Sequence, residues 1–176
     1  MRTYTSFIAG ISILGAVNAL ATIPSAAGID TFTNATVYQP LNNRSSVSYS
    51  RTETLPGNVL LAAWNDFGSS NGTMAVYQSK DNGQTWHPWG SCKSENPGRR
   101  LAQPHMLYLD EPFGDVERGV LLLSVNAVDN RSTNIEVYAS RDQGRSFKFV
   151  SRVAEGGRAN TTNGATPVWE PFLLRQ

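Results

Sequence analysis

The octapeptide SKDNGQTW at Ser79–Trp86 returns as SRDQGRSF at Ser140–Phe147, 61 residues further on as counted from Asp81 to Asp142. Without a gap, the same offset carries Val59-Leu60-Leu61 onto Val120-Leu121-Leu122 and Val76-Tyr77 onto Val137-Tyr138. A chain with this self-similarity is an array of one supersecondary unit, each copy burying its faces against its neighbours. Each copy divides into four short strands separated by turn residues. They are expected at about Val47–Leu55, Val59–Asn65, Thr73–Ser79 and Gln84–Gly90, then Pro104–Asp110, Gly119–Val125, Asn134–Ser140 and Ser146–Val153. A third set opens at Trp169.

Inside the octapeptide the pattern is Ser-x-Asp-x-Gly-x-Thr/Ser-aromatic. Ser79, Asp81, Gly83, Thr85 and Trp86 fill it in the first copy, and Ser140, Asp142, Gly144, Ser146 and Phe147 in the second. The aspartate can accept backbone N–H groups of its own turn, the glycine supplies a positive φ, and the aromatic anchors the next strand in the core. The motif resembles the Asp box, or BNR repeat, of sialidase-like β-propellers. That resemblance implies a structural turn between the third and outermost strands of a blade, on the face away from the active site. The fold expected is all-β: a sialidase-like six-bladed propeller, present here as about two blades and the first strand of a third. Closed propellers need about four to eight blades, so the chain reads as the front half of a longer protein.

Arg2, the apolar stretch Phe7–Val17 and the small-residue site Ala19-Leu20-Ala21 read as a secretion signal, too short to span a bilayer. Residues 1–21 are thus a leader, 22–46 an extension with a strand-like stretch that either closes a ring or lies on the surface, and 47–176 a partial propeller. Sequons at Asn34, Asn43, Asn71, Asn130 and Asn160 fit a glycosylated extracellular protein. A net charge of +1 with 16% charged residues gives no electrostatic case for nucleic acid or an anionic membrane. Cys92 is the only cysteine, and in an exported chain such a thiol is either buried or paired elsewhere.

The innermost strands of a propeller begin at the mouth of its central channel, so their first residues converge even when far apart in sequence. Those strands begin near Tyr49-Ser50-Arg51, Gln103-Pro104-His105 and Val168-Trp169-Glu170-Pro171, which places Arg51, His105 and Glu170 around one axis. Glu170 interrupts the otherwise apolar run TPVWEPFLL, where burying a carboxylate is costly unless it is partnered. Arg51 is either a ligand-binding group or an ion-pair partner of Glu53 on the same strand face. His105 is a packing histidine or a base. Trp169 fills the core or stacks on a sugar ring.

The stretch YSRTETLPGNVLLAAW, the first octapeptide, the strand PHMLYL and GATPVWEPFLL together resemble the fungal exo-arabinanases of glycoside hydrolase family 93. The resemblance covers nearly all of the chain from Tyr49 on. It implies a secreted six-bladed propeller that cleaves α-1,5-arabinan of the plant cell wall from a chain end with retention, with no metal or organic cofactor. Glu170 matches one of two catalytic carboxylates, which a retaining mechanism holds about 5 Å apart; the second is expected beyond Gln176. Sialidases share the fold, and Asp66 could imitate their acid/base aspartate, but Arg51 is followed by Thr52-Glu53, an acid placed poorly for an anionic sugar. A non-catalytic carbohydrate-binding propeller would carry the same repeats without paired carboxylates.

Overall fold

A computed structural model describes residues 34–40, 46–68 and 72–175. The leader, most of the extension, and the sequons at Asn43 and Asn71 lie outside the described residues; Asn34, Asn130 and Asn160 are exposed.

The described strands are β1 (Val47–Leu55), β2 (Val59–Asp66), β3 (Met74–Ser79), β4 (His87–Cys92), β5 (Arg100–Tyr108), β6 (Leu121–Val128), β7 (Thr133–Ser140) and β8 (Lys148–Gly156). They form two antiparallel sheets in sequential order, β1-β2-β3-β4 and β5-β6-β7-β8. Leu60 pairs with Ser79 across β2 and β3, and Leu121 with Ser140 across β6 and β7. The 61-residue offset of the sequence is therefore an offset of register as well. The two sheets are successive blades of a propeller.

Several strand boundaries differ from expectation by up to four residues, and two of the shifts have a visible cause. β4 starts at His87 rather than Gln84 because the turn continues through Trp86, whose Nε1 donates to the Gly83 carbonyl at 3.0 Å. β5 starts at Arg100 rather than Pro104 because Leu101 and Ala102 are buried between the blades and draw the ladder back. Beyond Gly156 the described chain has no regular strand. It returns over the second blade, where Gly157 N donates to Thr166 O at 2.9 Å and Val168 N to Thr133 Oγ1 at 2.8 Å.

The core lies between the blades. Leu61, Ala63, Val76 and Cys92 from the first meet Met106, Leu121, Leu123, Val125 and Tyr138 from the second, all buried. β2 and β6 are buried along most of their length because both of their faces are covered, so they read as continuous apolar runs rather than alternating ones. On the far face of the first blade, Trp64 packs on Tyr77 and Tyr38 with ring centroids 4.9 and 5.0 Å away. Cys92 is buried, and burial together with the nearby Glu136 carboxylate pushes its thiol up to about 12, which leaves it unreactive.

The two Asp turns superimpose bond for bond. Ser79 Oγ donates to Asp81 Oδ1 at 2.7 Å and accepts from Gly83 N at 2.8 Å, while Thr85 gives its N–H to Oδ1 at 2.9 Å and its hydroxyl to Oδ2 at 2.6 Å. Ser140, Asp142, Gly144 and Ser146 repeat these four bonds at the same distances. The bonds from Thr85, then from Ser79, hold the Asp81 carboxyl at about 2, below its ordinary 3.8. At Asp142 burial pushes upward, but the bonds from Ser146 and Ser140 outweigh it and the net shift is also down. A carboxyl depressed on folding contributes stability that is complete above its unfolded value and lost as pH falls through its folded value. Asp81→Asn should therefore lower the melting temperature at neutral pH, and the difference from the unsubstituted chain should vanish between about pH 4 and pH 2. A difference that persists unchanged at pH 2 would show that the charge plays no part in the turn.

The second turn also joins the blades. Trp89 Nε1 donates to Gln143 O at 2.9 Å, Ser91 N donates to Arg145 O at 3.4 Å, and Arg145 lies over the Trp89 ring at 4.7 Å. Gly90 presses so closely on this turn that a Cβ there would sit 2.2 Å from Gly144 O.

Candidate active site

Three residues that line one hollow and are not glycine share a left-handed φ. Tyr49, Gln103 and Glu170 have φ of 52°, 51° and 52°. In β1 the register shifts between Ser48 and Arg51, and in β5 between Ala102 and His105, so Tyr49 and Gln103 occupy equivalent bulges. Left-handed backbone costs an L-residue about 1–2 kcal/mol, and it persists only where surrounding bonds over-determine it. Here those bonds are visible for two of the three. Gln103 N donates to Asn65 Oδ1 at 2.5 Å, and Glu170 N donates to Gln103 Oε1 at 3.1 Å.

The bulges line one depression of about 220 Å³, walled by Tyr49, Arg51, Gln103, Pro104, Glu170, Pro171 and Phe172. The convergence expected of the inner strands thus brings Arg51 and Glu170 to one place. Arg51 is exposed, and its Nη1 donates to Ser50 O at 3.0 Å. Glu170 is exposed as well, which corrects the expectation of a costly buried carboxylate. The residues that face the blade along this segment are Val168, Pro171 and Leu173, so the carboxylate is left to the open side.

His105 stands one step from the depression rather than in its wall. Its ring lies 4.2 Å from that of Phe172 and its Nδ1 accepts from Leu173 N at 3.3 Å, the satisfied arrangement of a packing histidine. Burial, then the Arg51 charge, lowers its pKa and keeps it neutral. Trp169 is 42% exposed and is not in the wall. Asp66 sits apart, beside the Trp64 cluster, accepting from Tyr38 Oη at 3.0 Å and from Gly68 N at 2.8 Å. The structure adds to the expected set Tyr49, Gln103 and two asparagines, Asn65 and Asn126. A signal for the last two was present, because the 61-residue offset superimposes them. The bulges had none, since no glycine marks them.

Among the described residues no cluster of histidine, cysteine and carboxylate side chains could hold a metal ion. The arrangement that remains is a carboxylate, a guanidinium and a tyrosine around an open hollow. Such a set can hydrogen-bond a neutral polyhydroxylated ligand and place one carboxylate against it.

Two blades whose inner strands converge on such a hollow define part of a β-propeller. No protein-family model and no curated protein matches the chain. Among solved structures, the chain is 38% identical to a Penicillium chrysogenum α-L-arabinanase complexed with arabinobiose, with a TM-score of 0.76 over 82% of this chain and 43% of that one. To the family 93 α-L-arabinofuranosidase of Fusarium graminearum, also complexed with arabinobiose, it is 38% identical, with a TM-score of 0.69 over 74% of this chain and 38% of that one. A further structure of the Fusarium enzyme, with an iminosugar inhibitor, gives 35% identity and a TM-score of 0.76 over 82% of this chain and 42% of that one. The chain is similar in sequence and fold to these arabinanase and arabinofuranosidase structures and spans about two fifths of their length.

Proposed function

We propose that the protein carrying this chain is a secreted glycosidase that cleaves α-1,5-linked arabinan from a chain end by a retaining, two-carboxylate mechanism, with Glu170 as one of the pair. The observation that carries the reading is Glu170 itself. It is held at a left-handed φ of 52° on the wall of a hollow shared with Arg51, in a chain 38% identical to an α-L-arabinanase and an α-L-arabinofuranosidase each seen with arabinobiose. Retention requires one carboxylate to attack the anomeric carbon and the other to protonate the leaving oxygen and then activate water. Arg51 binds sugar hydroxyls, and Trp169, exposed beside the hollow, offers a ring face to a neighbouring arabinose. The N-terminal residues 1–21 direct export, 22–46 extend ahead of the propeller, and the two Asp turns are those of an Asp-box repeat. Asn34, Asn130 and Asn160 are open to glycosylation on that route.

The test is the product pattern from linear α-1,5-arabinan. A chain-end mechanism releases one short product from the first minutes, whereas random cleavage gives a ladder that shortens with time. No release from arabinan, or release only from a sialoside, would end this reading.

A further inference from the structure

In each blade the second strand carries an asparagine at the same place, Asn65 in β2 and Asn126 in β6. Asn65 works across the blade boundary, its Oδ1 accepting the N–H of the next blade's bulge residue, Gln103, at 2.5 Å. By the repeat, Asn126 Oδ1 ought to accept the N–H of Glu170. It does not. Asn126 is fully buried, and its Oδ1 is the only buried side-chain polar atom without a partner among the described residues. Its Nδ2 is committed instead, donating to Gln103 Oε1 at 3.1 Å and to Val168 O at 2.8 Å. The acceptor for Glu170 N is Gln103 Oε1, at 3.1 Å.

An orphaned buried carbonyl is costly, and native structures keep few of them. Where a repeat departs from its own rule at such a cost, a site is the usual reason. The departure here has a definite effect. The glutamine oxygen, gripped by Asn126, ties the backbone of Glu170 to the bulge of the second blade, while the same Asn126 fixes the carbonyl two residues before Glu170. We propose that Gln103 and Asn126 are positioning residues for the Glu170 carboxylate, a role that rests on the catalytic reading of Glu170. Without the Gln103 acceptor nothing in the bulge fixes the Glu170 amide, and the carboxylate loses its aim while the fold stands.

The experiment is steady-state kinetics on linear arabinan with the whole protein carrying this chain. Gln103→Met keeps the length of the side chain and removes the acceptor. Gln103→Gly removes the side chain where a glycine sits without strain, so it folds even if the methionine does not. Both should lower kcat by about tenfold to a hundredfold while KM changes by less than about threefold, the signature of lost aim rather than lost binding. Gln103→Glu, which keeps an oxygen for the Glu170 N–H, should recover most of the rate. Glu170→Gln is run beside them. If it is inactive and Gln103→Met and Gln103→Gly turn over like the unsubstituted enzyme, or if Gln103→Glu falls as far as Gln103→Met, the positioning role is wrong and the catalytic reading stands. If Glu170→Gln is active, the catalytic reading fails and the positioning role falls with it.

Discussion

Gly90→Ala should destabilise the protein by about 3 kcal/mol or more, a cost at the upper end of overpacking effects. The added methyl would meet Gly144 O at 2.2 Å and Arg145 O at 2.5 Å, and both of these are backbone atoms that no rotamer change can move aside. To make room, the second Asp turn would have to withdraw from β4, breaking the Trp89 to Gln143 and Ser91 to Arg145 bonds that join the blades. Gly144 cannot withdraw freely, because it is itself wedged between Leu61 and Leu121. Gly98→Ala is the contrast: at φ of 82° with nothing within 4 Å, it carries only the left-handed backbone cost of about 1–2 kcal/mol. Equal shifts for the two variants in a thermal melt would contradict the account of the inter-blade joint.

Glu170→Gln should lower kcat on arabinan by three orders of magnitude or so, with binding and folding retained, because an amide can neither attack the anomeric carbon nor deliver a proton. The shape of the side chain is unchanged, and its exposure means that no buried partner is left unpaired. The melting temperature should therefore stay within about 1–2 °C of the unsubstituted protein, as is usual for surface substitutions. A variant that loses activity and stability together would mean that the carboxylate holds the segment in place instead of acting on substrate.

The architecture was legible because the repeat is gapless from Val59 to Phe147, and the offset fixes strand order, register and both Asp turns at once. Boundaries were less so. The start of β4 depends on where a tryptophan ring closes its turn, and the start of β5 on burial between blades that no single blade's pattern reveals. The inner strands β1 and β5 match at a shorter offset, since the connection from Leu109 to Val120 is longer than Pro56-Gly57-Asn58. For that reason the equivalence of Tyr49 with Gln103 was hidden from an alignment at 61 residues.

The convergence of the inner strands was legible in the sequence, but the bonds that support it were not. Reading the strand starts pointed to Arg51 and Glu170 together, and the structure joins them across one hollow. In the sequence Glu170 stands out by the expected cost of burying it, whereas in the structure it is exposed and stands out by a left-handed backbone on a non-glycine residue. Sequence signals that conformation through glycine or asparagine, and tyrosine, glutamine and glutamate give no such sign. The amide bonds that enforce it run between blades, from Asn65 to Gln103 and from Gln103 to Glu170, and long-range bonds of that kind have no local pattern.

An arabinan chain is expected to be held and cut in the hollow lined by Tyr49, Gln103 and Glu170. The most direct test is a crystal structure of the Glu170→Gln variant of the whole protein soaked with arabinobiose. The account predicts the disaccharide in the hollow bounded by Tyr49, Arg51 and Gln103, with the residue 170 side chain against an anomeric carbon. Arabinobiose bound instead against Trp64 and Tyr77 beside Asp66, with the hollow empty, would contradict it.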